Sequence, residues 1–356
     1  MAVRKSRFWK VVFVLVLVLG LAVPSAVFAD AVADYQFATP VFGLAVAPDG
    51  SLLVADAGAG IVELRNGQGS LVVELPGVTD IAPIGRGVMY AITGGMEGDL
   101  AGKLFMAARG KTQLVADLSG FEAAVNPDGG EIDSNAYDVE LLNGGKVLVA
   151  DAGGNSLLVV DKHGTVDWVA TFPMQFVSTD HLKNLVGCPN PPGGLEFACD
   201  LPPVIPAEAV PTSVVVGPDG AYYVGELTGF PGATGVSRVW RIEKGTLHAD
   251  CATSPACSVV ASGFTSIVDL AVGPDGTLYV VEMDEAGFIA AELAFFGLPG
   301  LTQGGTVNAC APGAWTCTER AVGLPLPLSV AVDRNGTLYA AILALVPGAA
   351  QVVVLP

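Results

Sequence analysis

The chain has 356 residues, of which 51% are hydrophobic and 15% are charged, and it contains 45 glycines and 24 prolines. This composition excludes a disordered chain, which needs low hydrophobicity and high charge, and a coiled coil, which needs charged helix formers. Seventeen basic against 35 acidic residues give a formal net charge of −18. Because such a surface repels phosphate backbones, we expect no nucleic-acid partner.

The first 29 residues have the pattern of a secretory signal peptide. A basic segment, residues 4–10, precedes an apolar run over 11–23 and a site of small residues that ends at Ala29. We expect cleavage before Asp30 and a secreted or periplasmic protein; the alternative is an uncleaved anchor over 11–29. No later stretch is long and apolar enough to cross a bilayer, so we expect no transmembrane span in the mature chain.

One pattern recurs along the rest of the chain. A short β-rich run reaches a tight-turn signal such as Pro-Asp-Gly or Asn-Gly, and a second β-rich run follows, which predicts a hairpin. A second strand pair comes after it, as in 61–65 and 70–74, so each unit is a four-stranded meander. The glycines of the six turns are Gly50, Gly87, Gly145, Gly220, Gly276 and Gly336.

Six such units predict an all-β fold, a six-bladed β-propeller of four-stranded antiparallel blades, as a single domain over 30–356. The last unit lacks room for four strands, so we expect residues 31–38 to close it. The predicted blades cover roughly 41–78, 79–122, 135–175, 210–262, 266–324 and 325–356.

Acidic and hydroxyl residues recur at two positions of the unit. The far end of the second strand carries Asp56, Asp151, Glu226 and Glu282, and the start of the first strand carries Asp138, Thr212, Asp269 and Ser329. Because the innermost strand of a propeller blade lines the central channel, these residues are candidates for a channel or ligand site.

Carboxylates in register around a ring suit a hard cation such as Ca²⁺. The predicted metal ligands are Asp138, Glu226, Asp269 and Glu282. The alternative is that these acids accept backbone N–H groups at strand ends or face solvent.

A second acidic stretch covers residues 121–138. Asp128, Glu131, Asp133 and Asn135 offer side-chain oxygens there, but the spacing of an EF-hand loop is absent. Turn chemistry explains the composition of this stretch without a ligand.

Six cysteines fall into three close pairs in loops. Local disulfides in an oxidising compartment are the interpretation we prefer, because zinc sites favour shorter gaps and no histidine lies at ligand spacing. The expected pairs are Cys188 with Cys199, Cys251 with Cys257, and Cys310 with Cys317.

Several segments resemble the ScyD/ScyE family, most specifically the run Tyr-Val-Gly-Glu-Leu-Thr-Gly-Phe-Pro at 223–231. The other matching segments are 121–130, 133–139, 149–155, 209–220 and 265–271. The resemblance implies an exported NHL-like or lactonase-like propeller and brings no catalytic residues with it. The family name comes from cyanobacterial clusters for the pigment scytonemin, and a role in pigment assembly is implied by that name alone.

Signatures of catalysis are missing from the sequence: it has no G-x-S-x-G, no Walker A, no G-x-G-x-x-G and no H-E-x-x-H. The first hypothesis is therefore a non-enzymatic, monomeric module that binds a small molecule, a glycan or a protein at the channel mouth. The alternative is a lactonase-like hydrolase in which Ca²⁺ polarises a carbonyl. Carboxylates that converge would favour the hydrolase, and splayed carboxylates would favour the binding module.

Overall fold

Each recurring turn closes an antiparallel hairpin in the structure, a computed structural model that describes residues 31–85, 87–95, 98–295, 297–298 and 301–356. The first strand of every blade contacts the first strands of both neighbouring blades, so the ring closes from the sixth blade to the first. The all-β six-bladed propeller is thereby confirmed. The predicted signal peptide and its cleavage site lie outside the described residues.

Blades 1 to 3 follow in chain order, with the first strand of each blade at the axis. Blade 1 contains β1 (Val41–Val46), β2 (Leu52–Asp56), β3 (Gly60–Arg65) and β4 (Gln68–Glu74). Blade 2 contains β5 (Val78–Gly85), β6 (Val88–Thr93), β7 (Lys103–Ala108) and β8 (Lys111–Asp117), followed by helix α1 (Leu118–Val125). Blade 3 contains β9 (Ala136–Leu142), β10 (Lys146–Asp151), β11 (Ser156–Val160) and β12 (Val166–Thr171).

An insertion separates blades 3 and 4. It holds β13 (Gln175–Ser178), α2 (Asp180–Leu185), α3 (Glu196–Cys199) and β14 (Val204–Ala207). Blade 4 contains β15 (Pro211–Val216), β16 (Tyr222–Glu226), β17 (Ser237–Ile242) and β19 (Cys257–Phe264). The short strand β18 (Ala249–Asp250) leaves blade 4 and pairs in parallel with β12 of blade 3.

Blade 5 contains β20 (Ile267–Val272), β21 (Leu278–Glu282), β22 (Gly305–Cys310) and β23 (Cys317–Leu324), with helix α4 (Phe288–Phe295) between β21 and β22. Blade 6 contains β24 (Ser329–Val332), β25 (Leu338–Ile342) and β26 (Gln351–Val354). Its outer edge is occupied by the start of the described chain, because Ala31 bridges Val353 and the Val32 amide donates to the Val352 carbonyl at 2.8 Å.

The hydrophobic core lies between the blades. Apolar side chains that alternate along the strands pack against the facing side chains of the next blade, as Val54 of blade 1 and Val330 of blade 6 do in one cluster. Further clusters join blades 1 and 2, 2 and 3, 3 and 4, and 4 and 5. Burial is therefore distributed around the ring, and each blade depends on its neighbours.

The two faces of the propeller differ in the length of their connections. On the lower face, where the first strand turns into the second, the longest connection is 243–256. The upper face, where the first strands begin, carries the connections 94–102, 118–135, 172–210, 227–236 and 283–304. The elaborations that distinguish this chain from a plain repeat are thus concentrated on the upper face.

All three expected disulfides are present. Cys188–Cys199 lies in the upper-face insertion, whereas Cys251–Cys257 and Cys310–Cys317 lie at connections of the lower face. Among the described residues, no helix is both long and apolar enough to cross a membrane.

Candidate functional site

One residue per blade occupies an equivalent position at the start of the first strand, and we call this set the axial ring. In blades 1 to 5 it follows a register shift, such as the one between Ala136 and Asp138, that leaves the preceding residue unpaired. The ring residues are Gly43, Asp80, Asp138, Ser213, Asp269 and Ser329.

Side chains of the axial ring bond to the next blade. In blades 2 to 5 the side chain accepts the backbone N–H of the residue that follows the ring residue of the next blade, so one oxygen joins two inner strands. The four bonds are Val139 to Asp80 Oδ2 (3.0 Å), Val214 to Asp138 Oδ2 (2.5 Å), Leu270 to Ser213 Oγ (2.9 Å) and Val330 to Asp269 Oδ2 (2.7 Å). The ring thus supports the closure of blades 2 to 6.

Three carboxyl groups meet in this ring. Asp80 and Asp138 line the same small space at the axis, and a direct hydrogen bond between two carboxyl groups needs one proton, because two carboxylates both lack a donor. Ser213 Oγ lies 2.7 Å from Asp138 Oδ2 and 3.1 Å from Asp269 Oδ1, so it links the pair to the third acid. Burial, followed by the charge of Asp138, raises the pKa of Asp80 and of Asp269 well above the usual range.

The space at the axis is small. Its volume is about 10 Å³, close to the minimum for one water molecule. The lining residues are Phe42, Gly43, Asp80, Tyr137, Asp138, Thr212, Val268 and Asp269. The rings of Phe42 and Tyr137 pack edge to face at 5.7 Å beside it. This space accommodates a water molecule or an ion.

The acids at the ends of the second strands bond elsewhere. Asp56 accepts the amides of Ala38 (2.7 Å), Thr39 (2.9 Å) and Gly58 (3.1 Å). Asp151 accepts the Asn135 and Gly154 amides and the Ser134 hydroxyl in the same way. Both carboxylates therefore fasten the segment that leads into the first strand of their own blade.

Glu226, in blade 4, is fully buried and lies at the centre of a polar network. It accepts Arg238 Nε at 2.7 Å, Trp240 Nε1 at 2.7 Å and Gln175 Nε2 at 2.5 Å. The Arg238 guanidinium also lies 4.8 Å from the centre of the Trp240 ring. Burial raises the pKa of Glu226, and the bond and charge of Arg238 oppose that shift.

Glu282, the equivalent acid of blade 5, accepts the Thr265 amide and, at 2.5 Å, Asn308 Nδ2. Burial raises the pKa of Glu282 to about 7. The structure thus brings Asp138, Thr212 and Asp269 together at the axis, and it gives the four strand-end acids separate partners. Among the described residues, no three His, Cys, Asp or Glu side chains are arranged to hold a metal ion.

The sequence pattern identified Asp138, Asp269 and Ser329 and missed three ring members, Gly43, Asp80 and Ser213. Thr212 was the residue singled out in blade 4, but it precedes the ring position, and its hydroxyl donates to the Ile267 carbonyl at 2.7 Å. A usable signal was present: in all six units the ring residue lies seven positions before the turn glycine, as Asp80 does before Gly87.

A cap covers blades 3 to 5 on the upper face, formed by residues 172–210, 227–236 and 283–295. Its parts contact one another: His181 Nε2 lies 2.8 Å from the Ala286 carbonyl oxygen, and Leu182 packs in a cluster with Ile289. The β13–β14 hairpin is the part of the cap that lies within residues 172–210. Gln175 anchors it to Glu226, to Thr228 Oγ1 and to the Val236 carbonyl.

The hairpin has two unlike faces because side chains alternate along a strand. Val177 and Ala207 point inwards and pack with Ala233. Phe176 points outwards with 80% of its surface exposed, opposite Pro206, and Val204 on the same side is 51% exposed. The outward side of this hairpin is an apolar surface that no described residue covers.

No family model matches the chain, and no curated protein matches it. Solved structures do. A protein of unknown function from Bacteroides thetaiotaomicron is 11% identical over 92% of this chain and 72% of its own, with a TM-score of 0.56. The calcium-binding protein regucalcin from Agrobacterium tumefaciens is 12% identical over 88% and 85%, with a TM-score of 0.55.

The PQQ-bound aldose sugar dehydrogenase of Streptomyces coelicolor is also 12% identical, over 92% of this chain and 96% of its own, with a TM-score of 0.55. At these identities the likeness shows the fold alone. The chain has the fold of the six-bladed β-propellers. Because this fold occurs both in a calcium-binding protein and in a dehydrogenase, the function has to be argued from the site.

Proposed function

We propose that this chain is an exported, non-enzymatic binding module that takes a protein partner on the cap of its upper face. The observation that carries the proposal is the outward surface of the β13–β14 hairpin, where Phe176 is 80% exposed and Val204 is 51% exposed; Met174, the residue before β13, is 62% exposed. Adjacent large apolar side chains in water are typical of interaction sites, and aromatic residues supply much of the binding energy at interfaces.

The hairpin is also held in a fixed position. Its inner side is bonded through Gln175 and packed through Val177. Within the same insertion, Lys183 Nζ donates to the Leu201 carbonyl at 2.6 Å, and a disulfide joins Cys188 to Cys199. A surface that is already ordered loses little conformational entropy on binding, which favours affinity.

Charge indicates the chemistry of the partner. The insertion 172–210 carries four acidic residues against the single basic Lys183, a net charge of −3. The whole chain carries −18. A partner with an apolar centre flanked by lysine or arginine is complementary to this surface, and such complementarity acts mainly on the association rate.

Export and family membership belong to the same proposal. The pattern of residues 1–29 and the three disulfides support an oxidising compartment outside the cytoplasm. The resemblance of 223–231 to the ScyD/ScyE family supports it as well. We propose a monomer, with the cap as the surface that meets the partner.

A random peptide library displayed on phage tests the proposal. Wild type is the bait, Phe176→Ser is the counter-selected variant, and Leu247→Ser is the control, because Leu247 is 52% exposed on the lower face. We expect clones rich in aromatic and basic residues that bind Leu247→Ser like wild type and bind Phe176→Ser at least about tenfold more weakly. Clones that fail to distinguish Phe176→Ser from wild type would refute the site.

Sedimentation velocity of the protein alone tests the choice of occupant. A monomer in both wild type and Phe176→Ser supports the proposal. A dimer that dissociates in Phe176→Ser would assign the apolar surface to a second copy of the chain and overturn it.

A second candidate is a Ca²⁺-dependent, lactonase-like hydrolase centred on the axial ring. The convergence of Asp80, Asp138 and Asp269 favours it, since a cation there would polarise a carbonyl and activate water. Against it stand the volume of about 10 Å³ and the backbone amides already bonded to each acid. Metal content and Ca²⁺-dependent melting of wild type, Asp269→Ala and Glu226→Ala decide: a bound ion whose melting shift disappears in Asp269→Ala supports the hydrolase.

A further inference from the structure

The connection between blades 2 and 3 contains a buried glutamate without a hydrogen-bond donor. Glu122 lies in α1, which begins after the Asp117 carboxylate accepts the Gly120 amide at 2.7 Å and ends at Asn126 in the left-handed region (φ 44°). Glu122 is only 1% exposed. Among the described residues, neither of its carboxylate oxygens has a hydrogen-bond partner, and the same holds for Asn126 Oδ1, one helical turn further on.

The surroundings of Glu122 are acidic. Its Oε2 comes within 3.0 Å of the point where a Cβ on Gly154 would lie, and Asp151 Cγ comes within 3.4 Å of that point, so these two atoms are at most about 6.4 Å apart by the sum of the two distances. Asp128 contacts the residue after Gly154, because Asn155 Nδ2 donates to Asp128 Oδ2 at 3.3 Å.

Protonation alone does not satisfy the buried carboxyl group of Glu122. A protonated carboxyl would remove the charge but leave an O–H that needs an acceptor, and buried polar groups without partners are costly. A cation satisfies both oxygens at once and also lowers the repulsion between the neighbouring carboxylates.

We propose that residues 122–128 form a binding site for a hard divalent cation, Ca²⁺ by its ligand chemistry, on the upper face beside blade 3. The side-chain ligands are the two oxygens of Glu122, Oδ1 of Asn126 and the carboxylate of Asp128. Ca²⁺ takes six to eight oxygens, so backbone carbonyls and water complete the shell. Two acidic residues and one amide make up this set, and it is separate from the axial ring.

The role that follows is structural. The cation joins α1 to Asp128, whose Oδ2 accepts Asn155 Nδ2 of blade 3 at 3.3 Å, so it fixes the 118–135 connection on blade 3. Because Asp151 holds the Asn135 amide at 2.7 Å, the connection is then held at both ends.

Calorimetric titration with CaCl₂ and thermal melting test the site on the full mature chain after treatment with a chelator. We expect one Ca²⁺ per chain with a dissociation constant of about 10⁻⁴ to 10⁻³ M, as in extracellular modules, and a melting temperature that rises with Ca²⁺. Glu122→Gln is expected to weaken binding at least about tenfold. Glu131→Gln, an exposed acid of the same connection, should bind like wild type.

The size of the Ca²⁺-induced melting shift separates a ligand from a merely structural glutamate. At the same Ca²⁺ concentration, the melting temperature of wild type should rise more than that of Glu122→Gln. Asp80→Asn, a change in the axial ring, should retain the binding heat. Asp128→Asn gives a second reading if Glu122→Gln does not fold. Wild type without binding heat, or a Ca²⁺ shift equal in wild type and Glu122→Gln, would overturn the proposal.

Discussion

Gly43→Ala is expected to destabilise the propeller where blades 1 and 2 meet. Gly43 is the one axial-ring residue without a side chain, and an added Cβ would lie 2.2 Å from Asp80 Oδ1, 2.7 Å from the Thr79 carbonyl oxygen and 3.0 Å from Asp80 Cα. Two of these three atoms belong to the backbone of β5, so a change of rotamer cannot remove the overlap. The inner strands β1 and β5 would have to move apart.

The magnitude is the difference between two opposing effects. Overpacking of a well-packed interior typically costs about 1–3 kcal/mol, and contacts with backbone place this case at the upper end. Replacing a glycine in an unstrained conformation also lowers the entropy of the unfolded chain and stabilises by about 0.4–1 kcal/mol. The net expectation is a loss of about 2 kcal/mol in the free energy of unfolding.

Urea denaturation of wild type, Gly43→Ala and Gly85→Ala measures this effect. Gly85 ends β5, also lacks a left-handed φ, and has no atom within 4 Å of an added Cβ, so its substitution carries only the stabilising effect. A double variant with Asp80→Ala should recover part of the loss, because one of the three overlaps is with the Asp80 carboxylate. Equal unfolding free energies for Gly43→Ala and Gly85→Ala would refute the close packing of β1 against β5.

Two further predictions concern the cap. Burial raises the pKa of Glu292 in α4. The contribution of Glu292 to stability is therefore fully present below its unfolded-state pKa and is lost as the pH rises through its folded-state pKa. Denaturation midpoints should depend less on pH in Glu292→Gln than in wild type, and the exposed control Glu74→Gln should leave that dependence unchanged. Gln175→Ala removes three hydrogen bonds of the β13–β14 hairpin. Limited proteolysis should therefore cut the hairpin several-fold faster in Gln175→Ala than in wild type, while the main melting transition is retained. The exposed Gln113→Ala is the control, and equal cleavage rates in wild type and Gln175→Ala would contradict the anchoring role of Gln175.

The sequence was sufficient for the fold because its strongest signals are local. A Pro-Asp-Gly or Asn-Gly turn requires residues that tolerate positive φ, and Gly50 and Gly220 adopt φ values of 87° and 78°. Alternating apolar residues on both sides of such a turn then define the hairpin and its repeat. The closing contact of Ala31 with Val353 follows from counting the strands left for the last blade.

The site was less accessible for a geometric reason. In the hairpin of blade 4, the unpaired residue at the register shift displaces the ring position by one, from Thr212 to Ser213. Whether an acid at the end of a second strand faces the axis depends on the conformation of the loop beside it. The repeat pattern in the sequence does not predict that conformation. Asp56 is an example, since its partners are the amides of Ala38 and Thr39, eighteen and seventeen residues earlier in the chain.

The two faces of the propeller differ in which residues serve ring closure and which are available for binding. A position that recurs in the blades meets the same requirement each time. At the axial ring of blades 2 to 5 this requirement is to bond one inner strand to the next, as Asp138 does through the Val214 amide. Residue types shared between blades therefore report mainly on closure of the ring. Two groups without such a repeat are Phe176 on the cap and Glu122 in α1, and both lie in connections of the upper face. Because closure does not explain an exposed phenylalanine or a buried glutamate without a donor, these two groups are where we place binding of a partner and of a cation.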